Sequence, residues 1–203
     1  KEDCAITFDL DAQTSQLLIQ KLTGNSRSVG VKVKISTKLP ISDDKLVFYR
    51  SSSPKFKDFI TLYFHQCVLA IAKEQLAEKA SLIEGVTATH GFYFDTKSQK
   101  VTQFKYGEIV DPKAQLLKFI QQYIVGLQQP LLVNGEIAEK AFKAKVFEQA
   151  QFELYWSDPN SMMSLGADPY IHYFWPQCPN YEEVQPNIEY LYLDVFNARE
   201  QIK

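Results

Sequence analysis

Little in this chain is suited to covalent or metal chemistry. Three cysteines, Cys4, Cys67 and Cys178, stand far apart without a repeated spacing. That argues against a secreted disulfide framework and suits reduced thiols in a cytoplasmic protein. Three histidines, His65, His90 and His172, leave few bases for nucleophilic catalysis, which needs nucleophile, base and orienting group together. No Gly-x-Ser-x-Gly elbow occurs. His172 and Cys178 are the nearest approach to a zinc pair, with no second pair to complete it. The eight glycines are dispersed, and nothing matches the phosphate loop Gly-x-x-x-x-Gly-Lys-Ser/Thr. No apolar run reaches the length of a membrane span, and no basic-then-apolar signal opens the chain. The first residue is Lys1, and Cys4-Ala-Ile-Thr-Phe reads as already inside a strand, so an excised fragment or processed product is expected. No catalytic residue, metal site or cofactor is expected in this domain.

Core material, by contrast, is plentiful. The 203 residues are 45% hydrophobic and 13% aromatic, enough to bury roughly 70% of the unfolded surface without a disulfide or metal. The net charge of −2 hides an asymmetry. Between Arg27 and Asp58 there are eight basic residues against three acids, whereas from Val146 onward nine acids face only Arg199 and Lys203. A basic face toward phosphate and an acidic face toward a protein partner would distribute charge this way. Two ordinary solvated surfaces would do so equally.

Periodicity outlines the elements. Ala5–Leu10 and Val29–Ile35 alternate as half-buried strands do, Lys45–Arg50 reads as a further strand after the Pro40 and Asp43-Asp44 turn signals, and Ser15–Thr23 is a short helix ending at Gly24. Ser53-Pro54 reads as cap and first-turn proline of a helix to about Glu78, its apolar stripe formed by Phe56, Ile60, Phe64, Cys67, Val68 and Ile71. Leu82–Thr87, His90–Asp95 and Lys100–Tyr106 predict a three-stranded meander. Asp111-Pro112 opens a helix to Leu127. Further helices are predicted over 136–155, 170–175 (capped by Asp168-Pro169) and 181–198, the last kinked or restarted at Pro186. Asp158–Gly166 is a polar loop.

This order predicts an α+β fold, a small mixed or antiparallel sheet flanked by helices with a helical C-terminal tail. A single domain over residues 1–203 is expected, with 1–50 a candidate small β subdomain and 51–203 the core and tail.

One spacing resembles chemistry. Magnesium nucleases of the PD-(D/E)xK type carry an Asp on one strand and an acid-x-Lys on its neighbour. Here Asp95 precedes Gln103-Phe104-Lys105, with a neutral amide where the second carboxylate belongs. Losing that charge weakens a shell for Mg²⁺, which dehydrates reluctantly. A decayed or coincidental hairpin is the favoured reading. The rival is an active nuclease using Asp95 and Lys105 with Glu84 or Glu108.

Two blocks carry a wider resemblance. Leu117-Lys-Phe-Ile-Gln-Gln-Tyr-Ile-Val-Gly-Leu-Gln-Gln-Pro-Leu-Leu-Val133 and Gly166-Ala-Asp-Pro-Tyr-Ile-His-Tyr-Phe-Trp175 are similar to the C-terminal domain of RecC, the gamma subunit of bacterial exodeoxyribonuclease V. Weaker echoes are Lys45–Arg50 and Leu191–Arg199. The resemblance implies a domain of degenerate nuclease-like fold without metal ligands, in a cytoplasmic DNA repair and recombination complex. ATP and Mg²⁺ would then belong to RecB-like and RecD-like partners. This domain would serve subunit assembly and DNA guidance.

Lys32, Lys34, Arg50 and Lys55 are the candidate DNA contacts, approaching phosphates rather than bases. Tyr170, Tyr173, Phe174 and Trp175 are the candidate partner interface, although core packing at helical spacing explains such aromatics more simply. A protein-interaction module that never touches DNA is the second rival.

Overall fold

Runs of alternating apolar residues and runs of helical spacing segregate along this chain, and they fold as an α+β structure. The computed structural model describes residues 2–24, 30–75, 83–96, 98–157 and 164–202. Two compact units emerge, Lys1–Ile124 with Ala198–Lys203, and Val125–Asn197.

The first unit contains β1 (Glu2–Asp9), α1 (Ala12–Thr23), β2 (Lys32–Leu39), β3 (Ile41–Ser42), β4 (Lys45–Arg50) and α2 (Phe56–Gln75). It continues through β5 (Ala88–Asp95), β6 (Lys100–Tyr106) and α3 (Pro112–Gly126), which crosses the boundary in its last turn, and closes with β7 (Glu200–Ile202). β1 and β2 form an antiparallel ribbon with Ile6 opposite Ile35. The larger sheet runs β3-β4-β5-β6-β7. Only β4 and β5 are parallel, because α2 carries the chain back across the sheet between them.

Both ends of α1 follow from sequence. Asp11 accepts the Thr14 backbone N–H at 2.8 Å, and Gly24 ends the helix in the left-handed region at φ 69°, where a Cβ is unfavourable.

α2 is the core of this unit. It lies against β5, β6 and β1, and buries Phe56, Phe59, Leu62, Tyr63, Gln66, Cys67, Val68, Leu69, Ile71 and Ala72. The predicted stripe was narrower, and rotated in its first turns. Ile60 and Phe64 are only half-buried, while Phe59, Leu62 and Tyr63 face inward. Gly91 makes the close approach possible: a Cβ there would stand 2.7 Å from Leu62 Cδ1 and 2.8 Å from the Tyr93 ring. The buried amide of Gln66 is satisfied, accepting from Thr89 Oγ1 at 2.8 Å and donating to Thr87 O at 3.3 Å.

The β1–β2 ribbon is tied to α2. Gln75 accepts the Thr7 N–H at 3.0 Å and donates to its carbonyl at 2.6 Å, covering the exposed edge of β1 as a further strand would. His65 meets Thr37 Oγ1 through Nε2 at 3.3 Å and Thr61 O through Nδ1 at 2.8 Å. Burial lowers the pKa of His65, against the opposing effect of its bond to Thr61.

The second unit is helical: α4 (Gly135–Lys143), α5 (Gln149–Ser157), a 3-10 turn (Leu165–Ala167), α6 (Pro169–Phe174) and α7 (Tyr181–Asn197). Its core gathers Ile137, Ala138, Phe152, Trp156, Tyr181, Val184, Ile188, Leu191 and Val195. Gln149 joins two helix starts by accepting the Tyr181 N–H at 2.6 Å and donating to Pro179 O at 3.3 Å.

Several elements differ from expectation. Ile83 ends a helical turn and Glu84–Gly85 form a turn, closed by Val86 N–H to Ile83 O at 3.1 Å, so no strand precedes β5 there and the meander is a β5–β6 hairpin. Its third neighbour, β7, comes from the chain's C-terminal end. The helix predicted over 136–155 is two helices, since the backbone turns extended at Ala144 (ψ 146°). Phe147 between them stacks on Tyr155 at 6.0 Å and packs on Tyr181 at 5.0 Å. Pro186 lies within a continuous α7. Ser53 does not cap α2. Asp58 accepts the Lys55 N–H at 2.8 Å instead, and the Ser53 hydroxyl donates to Asp95 Oδ2 at 2.7 Å. Val29, the end of the helix expected to reach Glu78, Leu82 and most of the 158–166 loop fall outside the described residues.

Candidate functional site

The β5–β6 register settles which side chains share a face. His90 pairs with Lys105, Phe92 with Gln103, Phe94 with Val101 and Asp95 with Lys100. Side chains alternate along a strand and paired residues share a face. His90, Gln103 and Lys105 therefore point to one side. Asp95 takes the parity of Tyr93 and Phe104, whose side chains are buried toward α2.

The nuclease-like spacing consequently does not assemble. Asp95 sits at the hairpin tip, accepting from Ser53 Oγ and from the Ser98 N–H at 3.0 Å. Lys105 lies on the other face toward the opposite end, about 17 Å along the strand by residue rise. There it pairs with Glu200 at 3.0 Å. Gln103 donates its amide to His90 Nδ1 at 2.8 Å. Burial, then Lys45 and Lys105, hold the pKa of His90 down, with Asp44 opposing. A neutral imidazole accepting at Nδ1 is the consistent state. Glu84 and Glu108 are exposed at the end of the hairpin away from Asp95. Glu108 lines an open cavity of about 390 Å³ beside Lys73 and Glu74. Among the described residues, no group of three or more His, Cys, Asp and Glu side chains is placed to hold a metal ion.

The four basic candidates divide between two places. Lys32 and Lys34 lie on the exposed face of the ribbon, but Lys32 stands opposite Asp9, and Lys38 on the same face pairs with Asp3 at 3.8 Å. Only Lys34 faces a neutral partner there, Thr7. Arg50 ends β4 and is held by both Asp58 oxygens at 3.0 and 3.2 Å. Lys55 is exposed just before α2.

Around Lys55 the fold brings together residues that sequence alone did not single out. Ser53 binds the hairpin tip, so the end of β4, the first turn of α2 and the tip are neighbours. Exposed Lys57 and Lys100 join Lys55 there. Tyr49 (87% exposed) and Phe94 (41%) stand at the same end on the sheet face turned away from α2.

In the second unit the aromatic candidates are outside the core, contrary to the simpler expectation. Tyr170 is 82% exposed, Tyr173 80% and Phe174 54%, while Trp175 is half-buried. Asp168 fixes their short helix by accepting the Tyr170 and Ile171 N–H groups at 2.9 and 3.2 Å. The rings pack on one another, Tyr173 to Phe174 at 4.9 Å and Phe174 to Trp175 at 6.1 Å. Core packing failed as an explanation because a six-residue helix covers little of itself.

No family model and no curated protein matches the chain. Among the described residues, no helix is long and apolar enough to cross a membrane.

Proposed function

We propose that this chain is a non-catalytic domain of a RecC-like subunit, holding partner subunits and guiding DNA in a cytoplasmic helicase–nuclease complex for double-strand break repair. The observation that carries the reading is the exposed aromatic cluster of α6. Tyr170, Tyr173 and Phe174 are exposed on one short helix, with Tyr173 and Phe174 in ring contact, and aromatics of these types are enriched at buried protein contacts.

Two further observations support it. Asp95 and Lys105 occupy opposite faces of their hairpin, so the residues of the nuclease rival do not converge. Basic side chains gather at the hairpin tip, where phosphates would be held without base reading. ATP and Mg²⁺ chemistry is assigned to RecB-like and RecD-like partners.

Co-migration of the chain with purified RecB-like or RecD-like subunit on size exclusion tests the proposal. A complex with either one is expected. Failure to bind both would remove the assembly role.

A further inference from the structure

We infer that the outer edge of β2 is a docking strand for an extended partner segment in which acidic and apolar residues alternate. This surface is separate from the α6 aromatics and does not depend on them.

Register decides which backbone groups are free. The Leu10 N–H donates to Val31 O at 2.8 Å, and the β1–β2 ladder continues from that pair through Phe8–Val33, Ile6–Ile35 and Cys4–Thr37. In an antiparallel pair, alternate residues turn their N–H and C=O groups toward the partner strand. The odd residues of β2 therefore bond to β1, and Lys32, Lys34, Ser36 and Lys38 turn their backbone groups outward. The same parity turns Thr7 outward on β1, where Gln75 occupies both of its backbone groups at 3.0 and 2.6 Å. Among the described residues, no strand pairs with the outer edge of β2.

The side chains flanking this edge set the chemistry of the partner. Lys32, Lys34, Ser36 and Lys38 are exposed on one face, whereas Val33, Ile35 and Thr37 are half-buried on the other. A strand added about 4.8 Å away would set every second side chain among the lysines and the rest beside Val33 and Ile35. Lys34 has no carboxylate in ion-pair distance among the described residues. Asp9 and Asp3 stand opposite Lys32 and Lys38 on β1, one strand further from an incoming chain. The Lys38–Asp3 pair is 3.8 Å long and exposed on both sides, so water screens it.

Opposite charges placed across neighbouring strands attract, and like charges repel. A segment alternating carboxylates with apolar residues matches both faces of this edge. A second copy of β2 does not, because antiparallel self-pairing would bring two rows of lysines together. The lysines thus guard the edge against its own kind while leaving it open to an acidic strand. Strand addition draws affinity from main-chain bonds and specificity from alternate side chains, and both are provided here.

The test is fluorescence anisotropy of the full chain with a labelled Glu-Val-Glu-Val-Glu-Val-Glu peptide, its Lys-Val counterpart, and two forms N-methylated on one or the other alternate set of amides. The Glu-Val peptide is expected to bind, and the Lys-Val peptide to bind about ten-fold or more weakly. Methylating one alternate set should abolish binding, and methylating the other should leave it, since only one set faces the edge. Lys34→Glu should weaken the Glu-Val peptide about ten-fold or more. Ser36→Pro removes one outward N–H at a position where an edge strand tolerates proline, and should weaken it as well. Circular dichroism of each variant checks the fold, and the methylated peptides decide the matter even where Ser36→Pro unfolds. Equal binding of the Glu-Val and Lys-Val peptides, equal effects of the two methylations, or full binding by Lys34→Glu would overturn the inference. Absence of peptide binding, with oligothymidylate bound and lost in Lys34→Glu, would overturn it too and make the edge a phosphate contact. None of these failures touches subunit binding through α6, which is read separately.

Discussion

Asp95 and Lys105 lie on opposite faces of the β5–β6 hairpin, one engaged by Ser53 at the tip and the other by Glu200 on β7. The arrangement turns an enzyme-like spacing into two structural contacts. Asp95→Ala is expected to lower stability by about 1 kcal/mol through lost hydrogen bonds, read by urea denaturation. Mg²⁺-dependent cleavage of linear DNA that disappears in Asp95→Ala would overturn the non-catalytic reading.

Gly91 sets the distance between α2 and the sheet. Gly91→Ala places a methyl against Leu62 and Tyr93 and should destabilise by about 1–3 kcal/mol. Adding Leu62→Ala should recover part of that loss. A strictly additive double mutant would show that the Leu62 contact is not what matters.

His65 is held neutral by burial between α2 and the ribbon. Its folded pKa lies below the ordinary value, so between the two values the unfolded chain binds more protons than the folded one. The stability it permits is present above about pH 6.5 and lost as pH falls toward the folded pKa. Denaturation midpoints should therefore decline from pH 7 toward pH 5, and His65→Gln should flatten that slope. His90, whose pKa is also lowered, contributes in the same direction, so the His65 variant should keep a remainder that His90→Gln removes.

Thiol reactivity checks the core directly. Cys67 is buried in α2, with its pKa pushed up to about 12 by burial, and Cys4 is buried in the ribbon. Cys178 is half-buried, its pKa raised by burial and then Glu153 against a bond from Gln149. A thiol reagent at pH 8 should label Cys178 slowly and the other two only in denaturant. Fast labelling of Cys67 in the folded chain would contradict this packing.

The sequence announced some of this and concealed the rest for identifiable reasons. β4, β5 and β6 were legible because short β-branched and aromatic runs are bounded by turn residues, and α3 and α6 because Asp111 and Asp168 open them ahead of proline. β7 was not, since Glu200-Gln-Ile is too short for any period and gains strand geometry only by pairing with β6. Ile83–Thr87 has strand composition but turns so that Val86 can be buried. The face of Asp95 depended on register, and the four-residue tip with Gln99 at φ 54° sets it; a slip of one residue would have reversed the face. The sequence left Tyr170 and Tyr173 open as interface or as core, because composition cannot say which short helix lacks a neighbour to cover it.

The most direct test of the docking account is the affinity of the chain for purified RecB-like and RecD-like subunits, compared with a Tyr170→Ala, Tyr173→Ala, Phe174→Ala variant of unchanged circular dichroism. One subunit should bind the wild type, and the variant should lose at least about 2 kcal/mol, roughly thirty-fold, as interface anchors do. Equal affinity of wild type and variant, or no binding of either subunit, would contradict it.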